Sequence, residues 1–240
     1  MDSNRRTALI AGLFFAGTII FSIPAALLYD PVLNDSDYIL GEGTGTQIAL
    51  GAFLEVLTAI CNIATAVVLF PILRRVNEAV ALGYVALRIV EGTIIVIGLI
   101  SLMSIVTLRD DLAGAAGTDA DSLNIAGQSL VAFHEWTRLL GPQFCAGFGN
   151  GLLLGYLMYK SRLVPRRMAL LGLIGGPLAF VGGMAVLFGA LENEPTLALL
   201  LLTIPEILWE VSLTIYLIFK GFRPAPVLQT DTRYAAALPS

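Results

Sequence analysis

The chain has 240 residues, of which 57% are hydrophobic and only 13% are charged, and its mean hydropathy is +0.83. Because a typical soluble domain is about 25% charged, this composition excludes a soluble protein and leaves no room for a separate soluble domain. The single histidine excludes the metal sites built from several histidines that some membrane hydrolases use. We therefore expect no metal, no cofactor and no nucleic-acid partner, and we expect the lipid bilayer as the main environment.

Six apolar runs follow one another, each near or above the about 20 residues that a helix needs to cross a bilayer. They comprise residues 8–28, 47–73, 79–108, 143–159, 168–191 and 196–219. The first run is longer than the apolar core of a signal peptide, which has roughly 7–15 residues, and we expect it to be retained. The sequence therefore predicts an all-α membrane protein, with one bundle of six transmembrane helices over residues 1–223 and a flexible cytoplasmic tail over 224–240.

A further helix is predicted between the third and fourth runs. Residues 123–140 place apolar side chains at helical spacing with polar ones between them, which is typical of an amphipathic helix lying at the membrane interface, here on the outer side. Gly141 and Pro142 are expected to break it before the fourth span.

The basic residues predict the orientation, because cytoplasmic loops are enriched in lysine and arginine. The loops expected on the other side hold Arg109 as their only such residue, together with most of the acids. We therefore predict a multi-pass protein of the cell membrane with both termini in the cytoplasm. The basic side comprises Arg5, Arg6, Arg74, Arg75, Lys160, Arg162, Arg166, Arg167, Lys220, Arg223 and Arg233.

Small and amide side chains in the spans predict how the helices pack. Gly147, Gly151 and Gly155 repeat every four residues, so two helices can approach closely there, within one chain or in a dimer. The oligomeric state is left open. Asn62, Gln143 and Asn150 are expected to form hydrogen bonds between helices. Both cysteines lie inside apolar runs and are predicted to be buried and free.

The most informative residues are the charged ones inside the spans. Arg88 and Glu91 are three apart and can pair on one helix face. Glu206 and Glu210 are four apart near the middle of the sixth run, beside Pro205, which cannot donate its backbone hydrogen bond.

The buried charges do not balance. One arginine faces four acids, counting Glu55 in the second run. Burial disfavours an ionised carboxyl group, so the surplus acids must be protonated or must bind a cation. These five residues are the candidate ligand or proton site. The alternative is a static hydrogen-bonded cluster that fixes the packing of the helices.

A second group of polar residues lies in the amphipathic segment. His134-Glu135-Trp136-Thr137-Arg138 lacks the second histidine of the zincin motif, and arginine does not bind zinc, so we predict no metal site there. His134, Glu135 and Arg138 are instead candidates at the outer face, either anchoring the helix at the interface or contacting a substrate.

Several segments also resemble a known family. They are Ala8–Gly12 after the basic N-terminus, Arg88–Glu91, Gly155–Arg166, and Pro205–Phe222 with its two glutamates. In this order and spacing they resemble the bacterial membrane family called domain of unknown function 4386, over about residues 5–223. The family has no established activity, so the resemblance implies a topology and no mechanism.

The leading hypothesis is a small proton- or cation-linked transporter or ligand-responsive membrane protein with a central acidic site. Two other classes stay open: a membrane-embedded enzyme acting on a lipid-like substrate, and an accessory subunit with a structural polar core. No nucleophile with a nearby base is readable in the sequence, which favours a non-enzyme.

Overall fold

The computed structural model describes residues 2–35, 38–41, 45–112, 120–192 and 196–228. Within these ranges all regular secondary structure is helical. Long apolar helices account for most of it: α1 (Ser3–Leu28), α3 (Thr46–Leu73), α4 (Glu78–Leu112), α7 (Arg166–Leu187) and α8 (Leu197–Phe219). All five are long and apolar enough to cross a membrane.

The short elements are α2 (Asp30–Asn34) and a 3₁₀ turn (Tyr38–Leu40) after α1. Between α4 and α7, α5 (Ala120–Arg138) passes directly into a wide π-helical segment (Leu139–Leu154) and then into α6 (Gly155–Ser161). The break expected at Gly141-Pro142 is absent, because Pro142 lies inside continuous π-helical backbone. We call residues 120–161 the composite helix.

The helices alternate in direction, so the bundle has two distinct ends. Tyr29 at the end of α1 reaches Glu55 in the first part of α3 and His134 in α5. Arg5 at the start of α1 donates from Nη1 to the Leu217 carbonyl and from Nη2 to the Ile218 carbonyl at the end of α8, over 3.0 and 2.5 Å. We call these the acidic end and the basic end, after the loop charges at each.

Close approaches between the helices depend on glycine. A Cβ at Gly147 would lie 2.9 Å from the Gly176 carbonyl oxygen, which shows how tightly the π-helical segment packs on α7. At Gly98 of α4, a Cβ would collide with Thr137 of α5, so α5 packs against α4 there. The helix predicted at the membrane surface thus contributes buried residues to the bundle, namely Gly127, His134 and Thr137.

The core is apolar near the basic end, around the buried Trp209, Leu213 and Leu217 of α8. Val227 and Leu228 pack against this core, so residues 224–228 of the expected flexible tail are held on the bundle, and the remainder, 229–240, lies outside the described residues. Cys61 and Cys145 are free and buried, as predicted.

Candidate functional site

Arg88 and Glu91 form the predicted ion pair on α4. Arg88 Nη1 donates to Glu91 Oε2 over 2.8 Å, and both side chains are almost fully buried, at 1% and 4% exposure for the residues. The amide of Asn62 on α3 donates to the other carboxylate oxygen, Oε1, over 3.1 Å. Both oxygens of Glu91 are therefore bound, one by Arg88 and the other by Asn62.

The guanidinium of Arg88 lies between two aromatic rings. Its central carbon is 5.7 Å from the ring centre of Phe15 on α1 and 5.9 Å from that of Tyr84, one turn earlier on α4. Such contacts stabilise a desolvated cation. Of its nitrogen atoms, Nε and Nη2 have no hydrogen-bond partner among the described residues. Arg88 thus uses one of its five donors on Glu91 and keeps others directed into the protein.

The two glutamates of α8 meet at a single asparagine. Asn150, in the π-helical segment, donates from Nδ2 to Glu210 Oε1 over 2.6 Å and to Glu206 Oε1 over 3.4 Å. Trp209 Nε1 donates to the Asn150 backbone carbonyl over 3.1 Å, which fixes the segment against α8. Glu206 is 6% exposed and Glu210 is half-buried.

Bare backbone surrounds the second oxygen of Glu206. A Cβ at Gly151 would collide with Glu206 Oε2 and with the backbone of Gly176. Glu206 Oε2 has no hydrogen-bond partner among the described residues, and neither does Asn150 Oδ1. The glycines therefore make room for a carboxyl group that the rest of the site does not fully satisfy.

These two arrangements belong to one site. The charge of Arg88 interacts with Glu206 and Glu210 as well as with Glu91, and the two α8 glutamates act on one another. We call the six residues the central acid cluster: Asn62, Arg88, Glu91, Asn150, Glu206 and Glu210. It contains three carboxyl groups and one guanidinium, and α3, α4, the composite helix and α8 each supply part of it.

Glu55 lies outside the central acid cluster. Its Oε2 accepts from the hydroxyl of Tyr29 over 3.1 Å, and the charge of Arg138 acts on it. The ring of Tyr29 stands edge-on to His134, with centres 5.8 Å apart. His134 Nδ1 is 3.1 Å from the Gly98 carbonyl, so a neutral His134 carries its proton on Nδ1. The pKa of His134 is lower than its ordinary value. Burial is the main cause and the charge of Arg138 adds to it, while the contact with the Gly98 carbonyl opposes the shift.

A cavity of about 520 Å³ opens at the acidic end, between the end of α1, the middle of the composite helix and the start of α8. We call it the vestibule. His134, Glu135 and Arg138 all line it, so the structure brings together the three residues predicted at this face. Glu91, Glu206 and Glu210 line neither the vestibule nor the two smaller cavities, of about 260 and 320 Å³.

The family assignment rests on most of the chain. The sequence profile of the family described as "Domain of unknown function (DUF4386)" matches residues 10–221. The chain belongs to this family. Comparisons with curated proteins and with solved structures gave no match.

The sequence of this DUF4386 protein predicts some residues of the site but not others. Asn62, Asn150 and Gln143 all form the interhelical hydrogen bonds that were predicted, the last to the Ala179 carbonyl over 3.0 Å. The roles of Phe15, Tyr29, Tyr84 and Trp209 were missed. Aromatic residues are common in membrane spans, and only the folded arrangement shows which ones face Arg88, Glu55 or Asn150.

Proposed function

We propose that this DUF4386 protein is a small proton-linked membrane transporter, in which Glu206 and Glu210 exchange the proton. One observation carries the proposal: both glutamates share the side-chain amide of Asn150, while Arg88 is bound to Glu91. The cluster therefore holds two more acids than its one cation can neutralise.

The charge balance favours protonation of this pair. Two carboxylates that share one amide repel one another if both are ionised, and burial adds to the cost. A proton on one of them removes the repulsion and supplies a donor for an oxygen that lacks one. Losing that proton leaves a carboxylate within reach of the charge of Arg88, whose free donors can respond.

A proton suits this arrangement better than a metal ion. Metal cations such as Mg²⁺ and Ca²⁺ require six or more oxygen ligands at short range. Among the described residues, no group of three or more His, Cys, Asp or Glu side chains is placed to hold a metal ion. Glu206 Oε2 lies instead against the backbone of Gly151.

The proposed topology has six spans, with residues 143–159 of the composite helix as the fourth. The π-helical part of the composite helix and α6 together run from the acidic end to the basic end. With this segment as the fourth span the chain crosses the membrane an even number of times, which agrees with both ends of the bundle, Arg5 and the end of α8, lying on the basic side. We place the basic end in the cytoplasm, in the cell membrane of a bacterium. On this topology α5 extends beyond the span at the acidic end.

The test uses the double variant Glu206→Gln/Glu210→Gln, which keeps the shape of the site and removes both titrating groups. A buried acid that is protonated in the folded state and ionised in the unfolded state makes the protein less stable as pH rises. We expect the parent in detergent to lose thermal stability between about pH 5 and pH 9 and the double variant to lose less. The infrared absorption of protonated carboxyl groups should also decrease more with rising pH in the parent than in the double variant, which keeps the other buried acids.

Glu78→Gln is the matched control, because Glu78 is exposed at the basic end and should leave the pH profile unchanged. A static polar core is the competing function, favoured by the dense packing of glycine against Glu206. Equal pH profiles for the parent and the double variant, with the same pH response of the carboxyl absorption in both, would establish the static core and refute proton exchange.

A further inference from the structure

The vestibule has the charges of a ligand site. Arg138 and Glu135 are exposed on its α5 wall, and Asp30 faces it from the start of α2. Arg138 forms no ion pair within 4 Å in the described part of the chain, nor does Glu135. Both signs of charge are thus presented to one cavity without cancelling one another directly.

The rest of the lining is apolar or fixed in place. Leu139 and Pro142 of the composite helix and Leu199 of α8 form apolar walls. Gln143 is held by its hydrogen bond to the Ala179 carbonyl on α7, and His134 by its contact with the Gly98 carbonyl. Pockets with apolar walls and a few polar groups held in position are typical of small-molecule sites, and about 520 Å³ lies within their usual range.

The vestibule lies about two helical turns from the central acid cluster, toward the acidic end. Leu199 precedes Glu206 by seven residues on α8, and Gln143 precedes Asn150 by seven in the π-helical segment. At about 1.5 Å per residue, Leu199 and Glu206 are about 10 Å apart along the helix axis. A molecule in the vestibule therefore binds on the acidic side of the proposed proton site, about 10 Å from it along α8.

We propose that the vestibule binds a small zwitterion with an apolar side chain, of the kind represented by an aliphatic α-amino acid. Arg138 binds the carboxylate, Asp30 and Glu135 bind the ammonium group, and the leucine and proline side chains contact the aliphatic part. A simple amine leaves Arg138 unpaired, and a simple carboxylate leaves the two acids unpaired. This binding step does not depend on proton exchange at Glu206 and Glu210.

The probe is L-leucine, compared with two analogues that each lack one charged group: 3-methylbutylamine and 4-methylpentanoate. Binding is measured by titration calorimetry on the full chain in detergent at one fixed pH. A hydrogen bond to a charged group contributes enough for about a tenfold change in affinity or more. We expect saturable leucine binding and at least tenfold weaker binding of each analogue.

Two variants assign the charges. Arg138→Gln should weaken leucine at least tenfold and leave 3-methylbutylamine unchanged, whereas Asp30→Asn should weaken leucine and the amine but not 4-methylpentanoate. Arg74→Gln, at the basic end, is the control and should bind leucine as the parent does.

The outcomes separate this proposal from the preceding one. Leucine binding that persists in Glu206→Gln/Glu210→Gln supports the vestibule whatever the result for proton exchange. The proposal is overturned if leucine shows no saturable binding to the parent, or if either analogue binds as tightly as leucine. The analogue comparison needs only the parent protein, so it decides the question even if a variant fails to fold.

Discussion

Replacing Arg88 with leucine tests whether the buried ion pair anchors the bundle. Removing the guanidinium leaves Glu91, at 4% exposure, with only the Asn62 amide as a partner among the described residues. Breaking a buried pair costs about 3–5 kcal/mol in soluble proteins. Hydrogen bonds between membrane helices average roughly 0.6 kcal/mol, because the unfolded chain in the membrane also finds partners.

The expected loss for Arg88→Leu lies between these values, at about 2–3 kcal/mol. For a chain of this size that corresponds to a fall in melting temperature of about 4–12 °C, measured by thermal unfolding in detergent. Solvent screening reduces this little, since Arg88 itself is 1% exposed. The exposed Arg74→Leu is the matched control and should change stability by less than about 0.5 kcal/mol.

The double variant Arg88→Leu/Glu91→Gln makes the test specific to the pair. It removes the stranded carboxylate, while the amide oxygen of the glutamine that replaces Glu91 can still accept from Asn62, so it should recover at least half of the lost stability. If Arg88→Leu melts like the parent, or if the double variant is no more stable than the single one, the ion pair is not the anchor.

Two further predictions concern packing and topology. Gly151→Ala should destabilise the protein by about 1–3 kcal/mol, because a Cβ at Gly151 meets Glu206 and the Gly176 backbone. Gly83→Ala should cost less than half as much, because a Cβ at Gly83 meets only the flexible end of a leucine side chain. Equal losses of stability on thermal unfolding would contradict this prediction. Topology is tested after both native cysteines have been replaced by alanine. A cysteine introduced at position 121 or 192 should then react in intact cells with an impermeant thiol reagent, and one at position 74 should not. Protection at position 121 or 192 would reject the proposed six-span topology.

The sequence predicts best what helical geometry alone determines. Arg88 and Glu91 are on one helix at the spacing that lets them pair, so no knowledge of the bundle is needed to join them. The same holds for Glu206 and Glu210. The asparagine that links them is 56 residues earlier than Glu206, and its partners depend on how the composite helix packs on α8.

The sequence is a poorer guide where local signals and packing disagree. Glycine followed by proline usually ends a helix, yet residues 139–154 continue through Gly141 and Pro142 as a π-helix. Glu55 shows another limit of the sequence: it was predicted to belong to the candidate ligand or proton site, but it accepts a hydrogen bond from Tyr29 near the acidic end, outside the central acid cluster. The position of a residue along a span does not reveal which side chains of other helices pack against it.

The contact of Arg5 with the last two turns of α8 has a consequence for biosynthesis. The ribosome makes Arg5 212 residues before Leu217, so the carbonyl groups that Arg5 binds are absent until α8 has been translated. The same helix brings Glu206 and Glu210 to an Asn150 that has already been synthesised. The contact between α1 and the end of α8 and the complete acidic site therefore both depend on α8, and a nascent chain released before residue 197 has neither.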